Sequence, residues 1–251
     1  MIVGAAVCPG APFLVPGVAD PIAGRLRPVL QACDAALGRL AAADHLLLIT
    51  AGAAGVDAPV AHRLLPPGTL VPTTSVRRSD LPGPAPVLLP ADAGRAPGAP
   101  AVNPAVATLV GASLLATVSI DTPVTAAEIT GDPAEAAAAL AGLTDTARRT
   151  ALLVIADGSA CHGDQAPGRR DDRAGGFDAA LAAALAAGDP NALLVACADR
   201  GLARDLLATV DPLAVLAALT TAHPPDSAEL HYAGAPLGVG YLVASWQWAE
   251  S

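Results

Sequence analysis

The chain has 251 residues, of which 53% are apolar, so it holds enough hydrophobic material for a sizeable core of α/β size. Charged residues make up only 15%, every basic side chain is arginine, and the net charge of −9 argues against a nucleic-acid partner, which needs a clustered basic face. The short arginine pairs at 77–78, 148–149 and 169–170 are too brief to supply one; Arg169 and Arg170 read first as part of a solvated loop, with contact to an anionic substrate the alternative.

The opening segment, MIVGAAVCPGAPFLVPGV, lacks a basic stretch before its apolar run, and Pro9, Pro12 and Pro16 interrupt it, so it reads as a first strand (Ile2 to Val7) and its loop. A helix follows over Pro21 to Ala43, with Leu26, Leu30, Cys33, Leu37 and Leu40 at helical spacing. Leu46 to Thr50 predicts a second strand. Residues 51–103 are rich in proline and glycine and leave room only for short strands at Thr69 to Val71 and Val87 to Leu89. Asn103 and Pro104 mark the start of a helix to Leu115, Ala116 to Ile120 reads as a strand, and Thr130 begins an alanine-rich helix to about Arg148.

The richest chemistry lies in ALLVIADGSACHGDQAPG, residues 151–168, where a buried strand ends abruptly in a loop carrying Asp157, Ser159, Cys161 and His162. Loops at the carboxyl ends of strands in open α/β sheets face the crevice where ligands collect, which makes this loop the leading site candidate. Helices are then expected at Gly176 to Ala187, Pro190 to Ala198, Leu202 to Thr209 and Pro212 to Ala222. Two final strands, Ala228 to Tyr232 and Gly238 to Trp246, pair as a hairpin. Strands alternating with helices and closing on a hairpin predict one α/β domain over 1–251, a three-layer α/β/α sandwich with a mixed central sheet covered on both faces. No segment offers about 18 unbroken apolar residues, and Cys8, Cys33, Cys161 and Cys197 form no CxxC pair. The expectation is a cytoplasmic protein without membrane contact, disulfide framework or zinc ribbon.

Other chemistries fit poorly. Cys161 and His162 are adjacent in sequence, which does not bring thiol and imidazole together as a nucleophile needs. Ser159 lacks the glycine two residues on that a nucleophile elbow requires. Gly52 to Gly55 and Gly238 to Gly240 match no phosphate-binding fingerprint, and Trp246 and Trp248 alternate onto one face, suited to covering the sheet or an oligomer interface.

The segments AVCPGAPFLVPG, VIADGSACH, FDAALAAALAAGDPNALL and HYAGAPLGVGYLVASW, in that order along the chain, resemble the LigB-like superfamily of class III extradiol ring-cleavage dioxygenases, and within it an actinobacterial branch. The resemblance implies the α/β/α fold and a non-haem Fe(II) held by two histidines and a glutamate, with a further histidine as acid/base. It places Gly10 at the first histidine position and Thr50-Ala51-Gly52-Ala53 where the second would stand. His45 falls at the opposite end of that strand, and His62 lies in the loop beyond it. On this reading the ordinary metal site is absent and no cofactor is expected, Fe(II) being the alternative.

By the same resemblance His162 occupies the acid/base position, vestigial here, with Asp157 beside it to orient it or to hold backbone amides. A residual pocket would be lined by Cys8, Gly10, Pro12, Gly52, Ser159 and Cys161. Glu229 and His231 alternate on a strand and are, with His162, the candidates for a surrogate metal site. Three functions follow as expectations: a degenerate-site protein that binds a small aromatic or acidic ligand, an enzyme with a rearranged metal site acting on a small aromatic substrate, or an interaction subunit of a homo-oligomer or a companion chain.

Overall fold

The computed structural model describes residues 1–15, 22–52, 62–65, 105–118, 122–144 and 148–249, with backbone alone for 62–65. Among these residues lie seven strands, β1 (Ile2–Cys8), β2 (His45–Ala51), β3 (His62–Leu65), β4 (Val124–Ile129), β5 (Thr150–Ile155), β6 (Ser227–Gly234) and β7 (Tyr241–Gln247). They form one sheet in the order β3-β4-β2-β5-β1-β7-β6. The four strands β4, β2, β5 and β1 run parallel, β3 is antiparallel at one edge, and the β7–β6 hairpin is antiparallel at the other. The sheet is therefore mixed, as expected.

Every residue of β5 is buried, and β2 is buried up to its last residue, because apolar side chains on both sheet faces are covered. On one face pack α1 (Ala23–Gly38), α2 (Val106–Ala116) and the short 3-10 turn Pro12–Leu14, against Ala6, Cys8, Leu46, Leu48, Leu153 and Ile155. On the other lie α3 (Pro133–Thr144), α4 (Ala174–Ala187), α5 (Pro190–Cys197), α6 (Arg200–Asp205) and α7 (Asp211–Thr220), against Val7, Leu47, Ile49, Leu152, Val154 and Trp246. These are the three layers of an α/β/α sandwich. No helix among the described residues is long and apolar enough to cross a membrane.

The helix boundaries follow from caps. Asp132 accepts from the backbone N–H of Ala134 and Glu135, so α3 starts three residues after Thr130, where the sequence pattern predicts its start. Gly188 ends α4 at φ 62°, and Asp189 caps α5 by accepting from Asn191 and Ala192, with Pro190 in its first turn. The strand expected to begin at Ala116 gives way to helix: α2 runs through Ala116, and Thr117 closes it by donating its hydroxyl to the Leu114 carbonyl. A short apolar run does not distinguish a helix end from a strand. The inner strand is instead β4, VTAAEI, disguised by Glu128 at a fully buried position. Glu128 accepts from the Ala105 N–H (2.6 Å) and the Thr108 hydroxyl (2.9 Å), both at the start of α2, so its burial is compensated. The expected short strands at Thr69 to Val71 and Val87 to Leu89 and the Asn103-Pro104 cap lie outside the described residues.

Helix α2 sits close on the sheet because Gly111 faces it. A Cβ there would come within 2.7 Å of Leu48 Cδ1 and 3.0 Å of Ile155 Cγ1, both of which are packed in the core. An added Cβ on Gly176 in α4, by contrast, would meet nothing within 4 Å. Substitution of Gly111 by Ala is expected to destabilise by about 1 to 2 kcal/mol despite alanine's better helix propensity. The matched Gly176→Ala should be neutral or stabilise by up to about 1 kcal/mol. Urea unfolding midpoints of the two variants check the pair, and a stabilised Gly111→Ala would contradict the close approach.

Candidate functional site

The connection from β1 leads to the α1 face and the connection from β5 leads to the α4 face, so the carboxyl ends of these neighbouring strands form a topological switch point. Two bonds stitch that crevice. The Ala156 N–H donates to the Cys8 carbonyl (3.0 Å), and the Gly10 N–H donates to Asp157 Oδ1 (3.0 Å). Asp157 thus holds the amide of the neighbouring loop rather than orienting His162. Burial pushes its carboxyl up to about 6, an effect that the Gly10 N–H only partly offsets. Its charge, after burial, helps push the Tyr241 hydroxyl at the start of β7 up to about 12.

The partner of His162 is Asp178, a residue absent from the sequence-based candidates. His162 Nε2 and Asp178 Oδ2 are 2.6 Å apart, and the Ser159 N–H donates to Asp178 Oδ1 (2.7 Å). The side chains retain 21% and 11% of their exposure, so this is a mostly buried dyad with a narrow opening to solvent. Burial raises the Asp178 carboxyl, with the Ser159 amide and His162 opposing. A legible signal existed: Asp178 lies on the buried stripe of α4 among Ala174, Phe177, Leu181 and Leu185, where a carboxylate requires a partner.

Glycines make the dyad possible. A Cβ on Gly240 would come within 1.7 Å of Asp178 Oδ2, and one on Gly158 within 2.5 Å of Asp178 Oδ1. The same two glycines bind the β5 loop to the hairpin: the Gly158 N–H donates to the Gly240 carbonyl (2.8 Å), the Gly240 N–H to the Ser159 carbonyl (2.7 Å), and the His162 N–H to the Gly238 carbonyl (3.1 Å). The GVGY segment is therefore a close-approach element.

The other expected site residues have structural places. The Ser159 hydroxyl is fully buried, donates to the Leu206 carbonyl (3.4 Å) and accepts from the Cys161 N–H (3.1 Å). Cys161 Sγ is 3.6 Å from the same carbonyl, so neither side chain lines an open pocket. Leu206 is followed by Leu207, held at φ 55°, a conformation that costs a non-glycine residue about 1 to 3 kcal/mol. Cys8 is buried in the core on the α1 face, where a hydrogen bond with Cys33, followed by burial, raises its thiol well above the ordinary range. Pro12 is exposed at the start of the 3-10 turn, and Gly52 donates its N–H to the Ile129 carbonyl (2.8 Å).

At Gly10, matched to the first histidine, and at Gly52, one of the four residues matched to the second, an added side chain would crowd its neighbours. A Cβ on Gly10 would be 3.0 Å from Ile155 Cγ2 and 3.1 Å from Asp157 Oδ2, and one on Gly52 would be 2.4 Å from Thr130 Cγ2. His45 stands at the amino end of β2, bonded to the Thr125 hydroxyl (2.9 Å), and the side chain of His62 lies outside the described residues. Glu229 and His231 do not join His162. They share the α1 face of the hairpin, where Arg39 donates to Glu229 Oε2 (2.9 Å), whereas the His162 dyad lies against α4. Among the described residues no three His, Cys, Asp or Glu side chains are grouped to hold a metal ion. These residues do not fit a two-histidine, one-glutamate iron site.

A cleft of about 260 Å³ does open at this end of the sheet, but to the side of the stitched crevice. Ala51 at the end of β2, Arg200, Arg204, Thr209 and Asp211 line it. None of Cys8, Gly10, Pro12, Gly52, Ser159 and Cys161, the residues expected to line a pocket, is among its described lining residues, while the Thr209 N–H donates to the Asp157 carbonyl (2.9 Å) from its wall. Arg200 is held there by both oxygens of Asp211 (2.9 Å each).

No family model matches the chain, and no curated protein matches it. Among solved structures it is similar to the uncharacterized protein JW3007 from Escherichia coli K12, with a TM-score of 0.54 and 16% identity over 97% of this chain and 99% of that one. A likeness at that identity shows the shared fold.

Two expectations follow from the geometry. Since the folded state raises Asp157 from an ordinary value of about 4 to about 6, the folded protein binds the extra proton. Stability is therefore lost as pH rises from about 4 through about 6, by at most roughly 3 kcal/mol. Asp157→Asn keeps an acceptor for Gly10 and removes the charge, so it should exceed the parent by about 1 to 3 kcal/mol at pH 8, with the gain closing near pH 4. Urea unfolding across that range decides it, and a variant less stable at pH 8 would refute the sign. For the dyad, His162→Ala and Asp178→Ala should each cost about 2 to 4 kcal/mol. Their double variant should cost about 1 to 3 kcal/mol less than the sum, and additive losses would mean that the two groups do not act together.

Proposed function

We propose that this chain is a LigB-like protein whose iron site is degenerate and whose fold serves non-catalytic binding of a small molecule or a companion subunit. The observation that carries the reading is that the first matched position is a glycine whose amide binds Asp157 and whose side-chain direction is crowded by Ile155 and Asp157, while Gly52, within the second matched stretch, is crowded by Thr130. A carboxylate bonded to the Gly10 amide occupies the switch point, where the resemblance would put a metal ligand.

What persists is the acid/base corner. His162, fixed through Nε2 by Asp178, has Nδ1 without a hydrogen-bond partner among the described residues, and this nitrogen is the polar contact available to a ligand. The cleft at the end of β2 carries Arg204 beside an Arg200 already held by Asp211, and Arg204 is the positive charge it presents to an acidic or aromatic-acid ligand. An oxygenase with a rearranged site would need metal donors other than Glu229 and His231.

Anaerobic reconstitution with ferrous iron, followed by metal analysis and a catechol panel assayed for the yellow ring-opened product, tests this. Bound iron well below one equivalent and no ring opening are expected. Stoichiometric iron with turnover would replace this reading with that of a working dioxygenase.

A further inference from the structure

The sheet carries a second constellation of reactive side chains, away from the switch point, that the reading above does not use. On β7, Ser245 is 3% exposed, and its Oγ lies 2.8 Å from His231 Nε2 on β6. The other ring nitrogen, Nδ1, is 3.4 Å from Glu229 Oε1, whose second oxygen is held at 2.9 Å by Arg39 of the α1 end. A hydroxyl, an imidazole and a carboxylate are thus in series, with the imidazole side chain only 7% exposed.

The backbone aims them. Glu229 pairs directly with Ser245 across the hairpin, and the register then shifts between Leu230 and Tyr232. A bulge at this place rotates His231 from the normal alternation toward the Glu229–Ser245 pair, and bulges recur where a sheet re-aims a functional side chain. In a regular strand the three would also share a face, but His231 would stand opposite the residue two places before Ser245 in β7 and not beside Ser245 itself.

A cleft of about 160 Å³ lies beyond this series along β7 and shares Arg39 with it. It is lined by Arg39, Gln247, Gly4, Leu40 and Trp248. Gln247 is two residues beyond Ser245 on the same face of β7, about 7 Å along the strand. The cleft's size suits a short acyl chain, and Arg39 brings a positive charge to its wall while also holding Glu229.

We propose that Ser245, His231 and Glu229 form a nucleophilic triad that hydrolyses small carboxylic esters at this second site. Triads are recognised by geometry and roles rather than by sequence order or fold. Ser245 Oγ attacks the acyl carbon while its proton passes to His231 Nε2. The alcohol leaves with that proton as the carbonyl reforms, giving acyl-Ser245. Water then attacks the acyl carbon, its proton passing through His231 to Ser245 Oγ, and the carboxylic acid is released. Glu229 favours the tautomer with the ring proton on Nδ1 and stabilises the imidazolium that forms in each step. The site is separate from the switch-point crevice, so its failure leaves the binding reading intact, and its success confines the non-catalytic reading to that crevice.

The test uses the full chain with a fluorophosphonate probe and with p-nitrophenyl acetate. Mass spectrometry of the digested protein should locate the phosphonyl group on Ser245, and nitrophenol release should accompany it. His231→Gln should slow both by about 1000-fold or more, and the half-exposed Glu229→Gln, which leaves the core untouched, by at least about 10-fold. Thermal unfolding of each variant separates lost chemistry from lost folding. Because the label is located on the unaltered protein, the result does not depend on Ser245→Ala being stable. Absence of label on Ser245, label on another serine, or nitrophenol release unaffected by Glu229→Gln and His231→Gln would overturn the proposal.

Discussion

The carboxyl end of the sheet depends on one buried carboxylate. Asp178 comes from α4, yet its oxygens serve the β5 loop through the Ser159 amide and His162, and they occupy space left open by Gly158 and Gly240. Removing a carboxylate from water is unfavourable unless hydrogen bonds replace hydration, and here an amide and an imidazole do so. The consequence is geometric as much as energetic. Because both oxygens are committed, the hairpin turn, the β5 loop and the first turns of α4 are fixed relative to one another, and His162 keeps a single ring orientation.

That arrangement also explains why the neighbouring crevice is closed. The β5 loop is drawn toward the hairpin by Gly158, Ser159 and His162 and toward α6 by the Leu206 carbonyl, which accepts from Ala160 N–H at 2.8 Å. Asp157, at the start of the same loop, is left facing β1, where it accepts from the Gly10 amide and burial keeps its proton affinity high. A side chain at position 10 would crowd that carboxylate, its Cβ standing 3.1 Å from Asp157 Oδ2. The Asp157–Gly10 bond across the crevice and the His162–Asp178 dyad are thus two outcomes of one loop conformation.

Much of the scaffold is legible in the sequence because its signals are local. The apolar runs at Ile2, Leu46 and Ala151 become three adjacent strands, and Gly188-Asp189-Pro190 marks a helix boundary through φ, capping and ring constraints at consecutive positions. The inner strand β4 escapes such a reading because Glu128 breaks its apolar pattern, and the residues that satisfy it, Ala105 and Thr108, lie 23 and 20 positions away. Sequence periodicity registers burial, but it does not register a partner supplied by another element. The site is half legible for the same reason: His162 stands out in a polar loop, whereas Asp178 is one polar residue in an alanine-rich helix. The apolar stripe around Asp178 is the available clue.

The two faces of the sheet treat their polar groups differently, and this bears on where chemistry can reside. Against α4 to α7, Asp178 and His162 are consumed in fastening loops, so their contribution to a ligand is one ring nitrogen at a narrow opening. Against α1, the hairpin edge carries Glu229, His231 and Ser245 in a row that is tied to the α1 end by Arg39, through the half-exposed Glu229. The half-exposed Arg39–Glu229 ion pair itself contributes little to the assembly of the fold. The row runs from a hydroxyl through an imidazole toward a carboxylate, with a hydrogen bond between Ser245 and His231 and an ion-pair contact between His231 and Glu229, and the register shift in β6 both aligns it and brings Tyr232 opposite Val243 onto the α1-face core.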